Sequence, residues 1–362
     1  MHPKLLEKLH KRKLEGTFRE LTSMDSMVDF YSNDYLGFSL ENQQNVSLKG
    51  STGSRLISGN SQETEECESF LAKHFNAEAA LVFNSGYSAN LGLLSSIPQR
   101  GDIILYDERI HASAKEGMRL SFADSFSFKH HDYTDLERLL DKYDEKVIYV
   151  VVESLYSMDG TMTYFRKLTH LCNKYKAFLI VDEAHSAGIF GKEGRGVVHA
   201  LEIEDEVFAR IVTFGKAYGL VGAAIVGSAA LKNYLVNFAR SFIYTTALPN
   251  EIYKLIENNV GSRLVVEKQD LLHANISFFR ENFTSEMLVS EVNSPIQVLQ
   301  IGNKEKAKQI AISCQAKNLA IKPIFSPTVP EGQESIRICL HSFDSQNDIR
   351  ILIEILKNEL NQ

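Results

Sequence analysis

The sequence has no tryptophan and only four cysteines in 362 residues. Cys67, Cys172, Cys314 and Cys339 lie far apart without a Cys-x-x-Cys pair. That argues against a disulfide framework or a metal knuckle and suits a reducing compartment. No apolar run is long enough to span a bilayer. The opening Met1-His2-Pro3-Lys4 leads into a charged Leu/Lys/Glu stretch, not the apolar core of a signal peptide, so a cytoplasmic location is expected. A basic excess is missing as well. The net charge of -7 gives no electrostatic reason to bind nucleic acid or an anionic membrane. Internal repeats, low-complexity tracts and Pro-rich linkers are also absent.

What is present is ample apolar content, 44% of the residues, enough for a large core plus a smaller one. Short apolar, β-branched runs read as buried parallel strands: Ala79 to Phe83, Asp102 to Tyr106, Val147 to Val152, Phe178 to Val181, and Arg210 to Val212. Stretches with helical spacing separate them. One is expected to be capped by Asn60 and to carry Cys67, Phe70, Leu71 and His74 on one face. This alternation predicts an α/β domain around a mostly parallel sheet. Past about residue 265 the texture changes. Strand-like Ile296 to Leu299, a helix around 304–316, strand-like Ile336 to Leu340 and a final helix opened by the capping box Ser345-x-x-Asp348 predict a smaller α+β domain. The expected division is an N-terminal segment over 1–40, a large domain over 41–262 and a small domain over 263–362.

Ligands of an open parallel sheet bind beyond the carboxyl ends of its strands, so those ends hold the candidate chemistry. After Phe83 the turn Asn84-Ser85-Gly86-Tyr87 opens a helix and offers backbone N–H groups to an anion such as phosphate. His111, beyond Tyr106-Asp107-Glu108, can lie flat on an aromatic ligand, although a surface histidine is the plainer alternative. Val181-Asp182-Glu183-Ala184-His185 closes a buried strand on a carboxylate that needs a cationic partner. A metal is one option, but Asp-x-x-His supplies too few ligands. A protonated pyridine nitrogen is another, and the carboxylate would make that ring an electron sink. In Thr213-Phe214-Gly215-Lys216-Ala217-Tyr218-Gly219, the lysine between glycines has the setting of a Schiff-base lysine, and Thr213 can add a hydroxyl to a phosphate. A small-residue strand, Gly222 to Gly227, lets backbone pack closely against it. Each signal is modest alone. In chain order they make up a pyridoxal-5'-phosphate (PLP) site.

These residues, together with Ser32 to Gly37, Gly50 to Asn60, Ser157-Met158-Asp159-Gly160 and Pro327-Thr328-Val329-Pro330-Glu331-Gly332, resemble the α-oxoamine synthases, PLP enzymes with the aspartate aminotransferase-like fold. The resemblance spans almost the whole chain. It implies a large domain with a mostly parallel seven-stranded sheet and a smaller C-terminal α+β domain. It implies that Lys216 holds PLP and moves protons at the substrate α-carbon, that Asp182 pairs with the pyridinium nitrogen, that His111 stacks on the ring and that His185 bonds its phenolic oxygen. Gly86, Tyr87 and Thr213 would lie near the phosphate, with Thr245 reaching over from a second subunit, and Ser157 beside the cofactor. Asn33 and Arg337, with Thr328, are implied substrate residues. The run Gly50 to Leu56 is most similar to the family member that joins L-alanine to a pimeloyl thioester in biotin biosynthesis. Thr64, Phe325 and Ser335 depart from that member's pattern.

The implied reaction is decarboxylative condensation of an amino acid with an acyl-CoA, or an acyl carrier protein, in a homodimer with a shared site. Rival readings are glycine acetyltransfer, serine palmitoylation or 5-aminolevulinate synthesis, plain transamination, and a non-catalytic PLP-binding module. The last usually comes with a DNA-binding domain, and no additional domain or basic patch is expected here.

Overall fold

The computed structural model describes residues 3–15, 17–18, 24, 26–41, 49–326 and 328–360. Pro327, the first residue of one of the resemblance motifs, lies outside the described residues. The chain forms two compact units. One comprises Met1–Asn33, Met158–Thr161 and Leu272–Gln362; the other comprises Asp34–Ser157 and Met162–Leu271.

The larger unit is built on a seven-stranded sheet. Its strands are β1 (Ala79–Phe83), β2 (Ile103–Asp107), β3 (Asp124–Phe128), β4 (Ile148–Glu153), β5 (Phe178–Asp182), β6 (Ala209–Thr213) and β7 (Ala223–Gly227). Across the sheet they run β1-β7-β6-β5-β4-β2-β3. From β6 through β3 every pairing is parallel, whereas β7 is antiparallel to both of its neighbours, β6 and β1. The expected parallel environment of Ala79–Phe83 is therefore corrected. That strand sits at an edge with one antiparallel partner, because the chain turns back after β6 through residues 214–222 and β7 then runs between β6 and β1.

β3 is absent from the sequence reading, and the reason is physical. Asp-Ser-Phe-Ser-Phe has no continuous apolar run, and all but Phe128 are exposed, as suits an edge strand. Helix α1 (Gln62–His74) forms as expected, but Ser61 caps it in place of Asn60, accepting from the Thr64 N–H at 3.3 Å. Leu81, Ile104, Val151, Ile180, Ile211 and Ile225 of the strands pack with Leu93 and Leu94 of α2 (Gly86–Ser96) and Met118 of α3 (Ala112–Leu120). This apolar layer fixes the strand ends on one rim. A buried ion pair braces the unit: Arg210 Nε donates to Glu183 Oε2 at 2.7 Å and its Nη1 to the Phe75 carbonyl at 2.7 Å.

The smaller unit holds an antiparallel sheet of β8 (Ile296–Gln300), β9 (Lys322–Ile324) and β10 (Ser335–Cys339), with β10 central. Helix α4 (Gln346–Leu360) follows the anticipated capping box. Ser345 Oγ accepts from the Asp348 N–H at 3.1 Å, and Ile349, Leu352, Ile353 and Leu356 are buried. Among the described residues no helix is long and apolar enough to cross a membrane.

Candidate active site

Four groups converge on the rim of the large sheet. Asp182 ends β5 and is 5% exposed. Its Oδ1 accepts from the Ala184 N–H at 2.9 Å and its Oδ2 from Asn90 Nδ2 at 2.8 Å, so the carboxylate is held from both sides. His185 follows in the same turn, with Nδ1 2.8 Å from the Tyr35 hydroxyl and Nε2 2.7 Å from Lys216 Nζ. Each ring nitrogen of His185 thus faces a protein group, Tyr35 on one side and Lys216 on the other.

Lys216 sits in the turn between the antiparallel strands β6 and β7. Gly219 in that turn has φ +61, and a Cβ there would lie 2.3 Å from the Ser39 amide nitrogen, so no other residue fits without displacing the lysine loop.

The phosphate candidates meet at the start of α2. Ser85 caps that helix, its Oγ accepting from the Ser88 N–H at 3.1 Å, which leaves Gly86 and Tyr87 as the first helical residues. A Cβ added to Gly86 would stand 3.7 Å from Thr213 Oγ1, so the bare glycine and the threonine hydroxyl face the same small space. Thr213 Oγ1 donates to the Gly222 carbonyl at 3.2 Å. Tyr87 is half exposed, and Ser157, at 9% exposure, is buried. Thr245 lies within the same chain beside Asn84, whose Nδ2 reaches its Oγ1 at 3.4 Å and the Thr246 carbonyl at 2.7 Å.

His111 caps α3, and its Nδ1 accepts from the Ser113 N–H at 3.2 Å. Its backbone N–H donates to Glu153 Oε1 at 2.5 Å. Ser113 Oγ lies 2.7 Å from that Nδ1 and accepts from Asn90 Nδ2 at 3.2 Å. A continuous network therefore links Glu153, His111, Ser113, Asn90 and Asp182. Glu153 and Asp182 are register partners on β4 and β5. Burial first, then the neighbouring Asp182 carboxylate, pushes the Glu153 carboxyl up to about 8.

In the smaller unit, Arg337 of β10 donates through Nη2 to Asn33 Oδ1 at 2.9 Å and through Nη1 to Cys339 Sγ at 2.8 Å. Thr328 is exposed in a turn closed by its N–H on the Phe325 carbonyl at 3.0 Å. Of the departures, Ser335 is buried with no hydrogen-bond partner for its Oγ among the described residues, and Thr64 is fully buried in α1.

One other cluster, Asp107 with His130 and His131, brings possible ligand atoms within 4.8 Å of one another. The Asp107 carboxylate there is already committed: it lies 2.9 Å from His130 Nδ1 and accepts from the N–H groups of Arg109 (2.9 Å) and His131 (3.3 Å). That arrangement is a latch across the ends of β2 and β3.

Asn90, Glu153, Ser113 and Tyr35 went unassigned in the sequence reading. Asn90 had a usable signal, since it is a polar residue on the otherwise apolar inner face of α2, among Ala89, Leu93 and Leu94.

A tightly placed lysine, a braced buried carboxylate, a histidine beside the lysine and a helix N-terminus facing a bare glycine and a hydroxyl define the site of a PLP-dependent enzyme. The side chains suit the group: the carboxylate complements a pyridinium, and the Gly86–Thr213 space, which a larger residue would fill, suits a phosphate.

Comparisons with known proteins agree. The model of the family "Aminotransferase class I and II" matches residues 25–356. The 8-amino-7-oxononanoate synthase of Emericella nidulans is 36% identical, covering 97% of this chain and 94% of its own length. The 8-amino-7-oxononanoate synthase 2 of Bacillus subtilis is 35% identical over 97% of this chain and 95% of its own. The crystal structure of the Francisella tularensis 8-amino-7-oxononanoate synthase aligns with a TM-score of 0.79 at 33% identity, covering 93% of this chain and 98% of that one. A Sphingomonas wittichii serine palmitoyltransferase aligns with a TM-score of 0.88 at 25% identity, covering 99% and 97%. The chain belongs to the aminotransferase class I and II family, on its α-oxoamine synthase branch, and is a PLP-dependent transferase of the acyltransferase type.

Proposed function

We propose that the protein condenses L-alanine with a pimeloyl thioester, releasing the thiol and CO2 and forming 8-amino-7-oxononanoate, a step of biotin biosynthesis in the cytoplasm. The observation that carries this reading is Lys216 Nζ at 2.7 Å from His185 Nε2, beside the braced Asp182, in a chain whose relatives of that name match over nearly its full length.

PLP, when bound, supplies an electron sink that stabilises negative charge at the amino-acid α-carbon. In this proposal Lys216 would hold the cofactor covalently until the amino group of the amino acid takes its place, and the freed lysine amine would then take the α-proton and later return a proton to that carbon. Asp182 would pair with the pyridine nitrogen, and the two donors on its oxygens hold the carboxylate in place. His111 packs on the ring face, and its helix cap and Glu153 fix its backbone. His185 hydrogen-bonds the phenolic oxygen. Gly86, Tyr87 and Thr213 take the phosphate, and Ser157 flanks the ring. Arg337 and Asn33 take the amino-acid carboxylate, with Thr328 nearby as a substrate residue; a guanidinium makes the planar two-point contact that a lysine cannot. Thr245 completes the phosphate site of the partner in a homodimer.

The test is thiol release by the PLP-loaded protein across alanine, glycine and serine paired with acetyl, succinyl, pimeloyl and palmitoyl thioesters of CoA and of acyl carrier protein. Thiol from alanine and a pimeloyl thioester alone is the expected result. A different productive pair reassigns the substrates within the branch. Conversion of bound PLP to its amino form by amino acid alone would replace the reading with transamination. Lys216→Ala should lower turnover by at least about 10³-fold while leaving a folded protein.

A further inference from the structure

We infer that Tyr35 is a positioning residue for His185: its hydroxyl fixes the orientation and tautomer of the imidazole that faces Lys216. The inference deepens the proposed reading of Lys216 as the PLP lysine and rests on it.

The geometry has three parts. First, the Tyr35 hydroxyl stands 2.8 Å from His185 Nδ1, while Nε2 on the other side of the ring stands 2.7 Å from Lys216 Nζ. The two nitrogens of a neutral imidazole cannot play the same role, so a partner on Nδ1 decides whether Nε2 donates or accepts. Second, the contact runs through the hydroxyl and not the ring face, because the Tyr35 and His185 rings meet edge-on at 62° with centroids 6.1 Å apart. Third, neither residue has room to adapt. Tyr35 is fully buried, as is its neighbour Leu36, and it lies inside the turn closed by the Gly37 N–H on the Asp34 carbonyl at 2.9 Å. Ser39, the next residue of this segment, is where the lysine loop presses in at Gly219. The His185 backbone is clamped too. The Ala184 N–H donates to Asp182 Oδ1, and the Ser186 N–H donates to the Glu183 carbonyl at 3.0 Å. What remains to be set at His185 is the rotation of its ring and the place of its proton, and the Tyr35 hydroxyl acts on both.

Tyr35→Phe removes one oxygen and keeps the buried ring, so the fold is retained. Two readouts separate a positioning role from a merely structural one. In the protein free of PLP, ¹⁵N NMR of the His185 side chain should report one dominant tautomer for the wild type and a mixture, or the opposite tautomer, for Tyr35→Phe. In the PLP-loaded protein, the ratio of visible to near-ultraviolet absorption should change, because the proton shared around the phenolic oxygen is no longer ordered by the same imidazole. With the productive substrate pair, kcat should fall about 10-fold, the weight of one hydrogen bond, with KM for the amino acid changed less than about twofold. Identical ¹⁵N shifts and identical absorption ratios in the two proteins would overturn the inference, and so would a loss of thermal stability with both spectra unchanged. If the wild type shows no absorbance from a lysine-bound cofactor, the reading of Lys216 fails, and the PLP-free NMR comparison still decides the role of Tyr35.

Discussion

Asn90 gives its amide Nδ2 to Asp182 Oδ2 at 2.8 Å across 92 residues of sequence, in a fully buried setting. The same nitrogen reaches Ser113 Oγ at 3.2 Å, so one side chain ties the Asp182 carboxylate to the helix cap formed by His111.

Asn90→Ala should therefore cost stability and cofactor affinity together. Removing a donor from a buried charged acceptor costs about 1–3 kcal/mol. Urea unfolding of the PLP-free protein should show that loss, and PLP titration should show affinity weakened about 10-fold. An unchanged PLP affinity would mean that the Ala184 N–H alone suffices to hold Asp182.

The Glu153 carboxyl makes stability depend on pH. Its folded value is raised from 4.5 to about 8 by burial and by Asp182. Between those values the folded protein keeps a proton that the unfolded chain has released, so stability falls as pH climbs through that window. Glu153→Gln keeps an acceptor for the His111 N–H and does not titrate. The stability of the PLP-free variant relative to wild type should grow steadily from about pH 5 to pH 8 in urea unfolding. Parallel curves across that range would refute the assignment.

Arg337→Lys keeps the positive charge and loses the planar fork that reaches both Asn33 and Cys339. KM for the amino acid should rise about 10-fold or more in steady-state assays, with the PLP absorbance of the resting protein unchanged.

Arg210→Met leaves the Glu183 carboxylate buried beside an apolar side chain. Glu183 also accepts from the Val198 N–H at 3.0 Å, but its charge would have lost its ion-pair partner. The cost should be about 3–5 kcal/mol in urea unfolding, one of the larger single losses available in the molecule.

Much of this site was readable from the sequence because a parallel sheet puts its strand ends on one rim. Asp182 and Thr213 follow directly on an apolar run, with His185 and Lys216 three residues further on in each case, and such runs are visible without knowing which strand lies beside which. The unreadable part depends on partners brought in from elsewhere. Tyr35 lies 150 residues from His185, and no local pattern announces that pairing. Glu153 follows directly on the apolar run Val147 to Val152, but its place as the acceptor for the His111 N–H depends on β4 lying between β5 and β2. The edge strand β3 failed for a different reason. Its exposed serines and aspartate carry no burial signal, so neighbour pairing alone makes it a strand. The direction of β1 could not be read either, because antiparallel pairing with β7 is decided by the turn at Lys216 and not by anything within Ala79–Phe83.

The antiparallel return of β7 also bears on how the protein matures. A chain synthesised only as far as His185 already contains Asp182 and His185 but lacks Lys216, and β1 still lacks β7, its one strand partner among the described residues. Insertion of β7 between β1 and β6 joins the first strand of the sheet to its last ones and closes the lysine turn in the same event. Pairings of such long sequence separation form slowly. If Lys216 holds PLP as proposed, covalent capture of the cofactor would report completion of the central sheet, and its absorbance would serve as a clock for the last stage of folding.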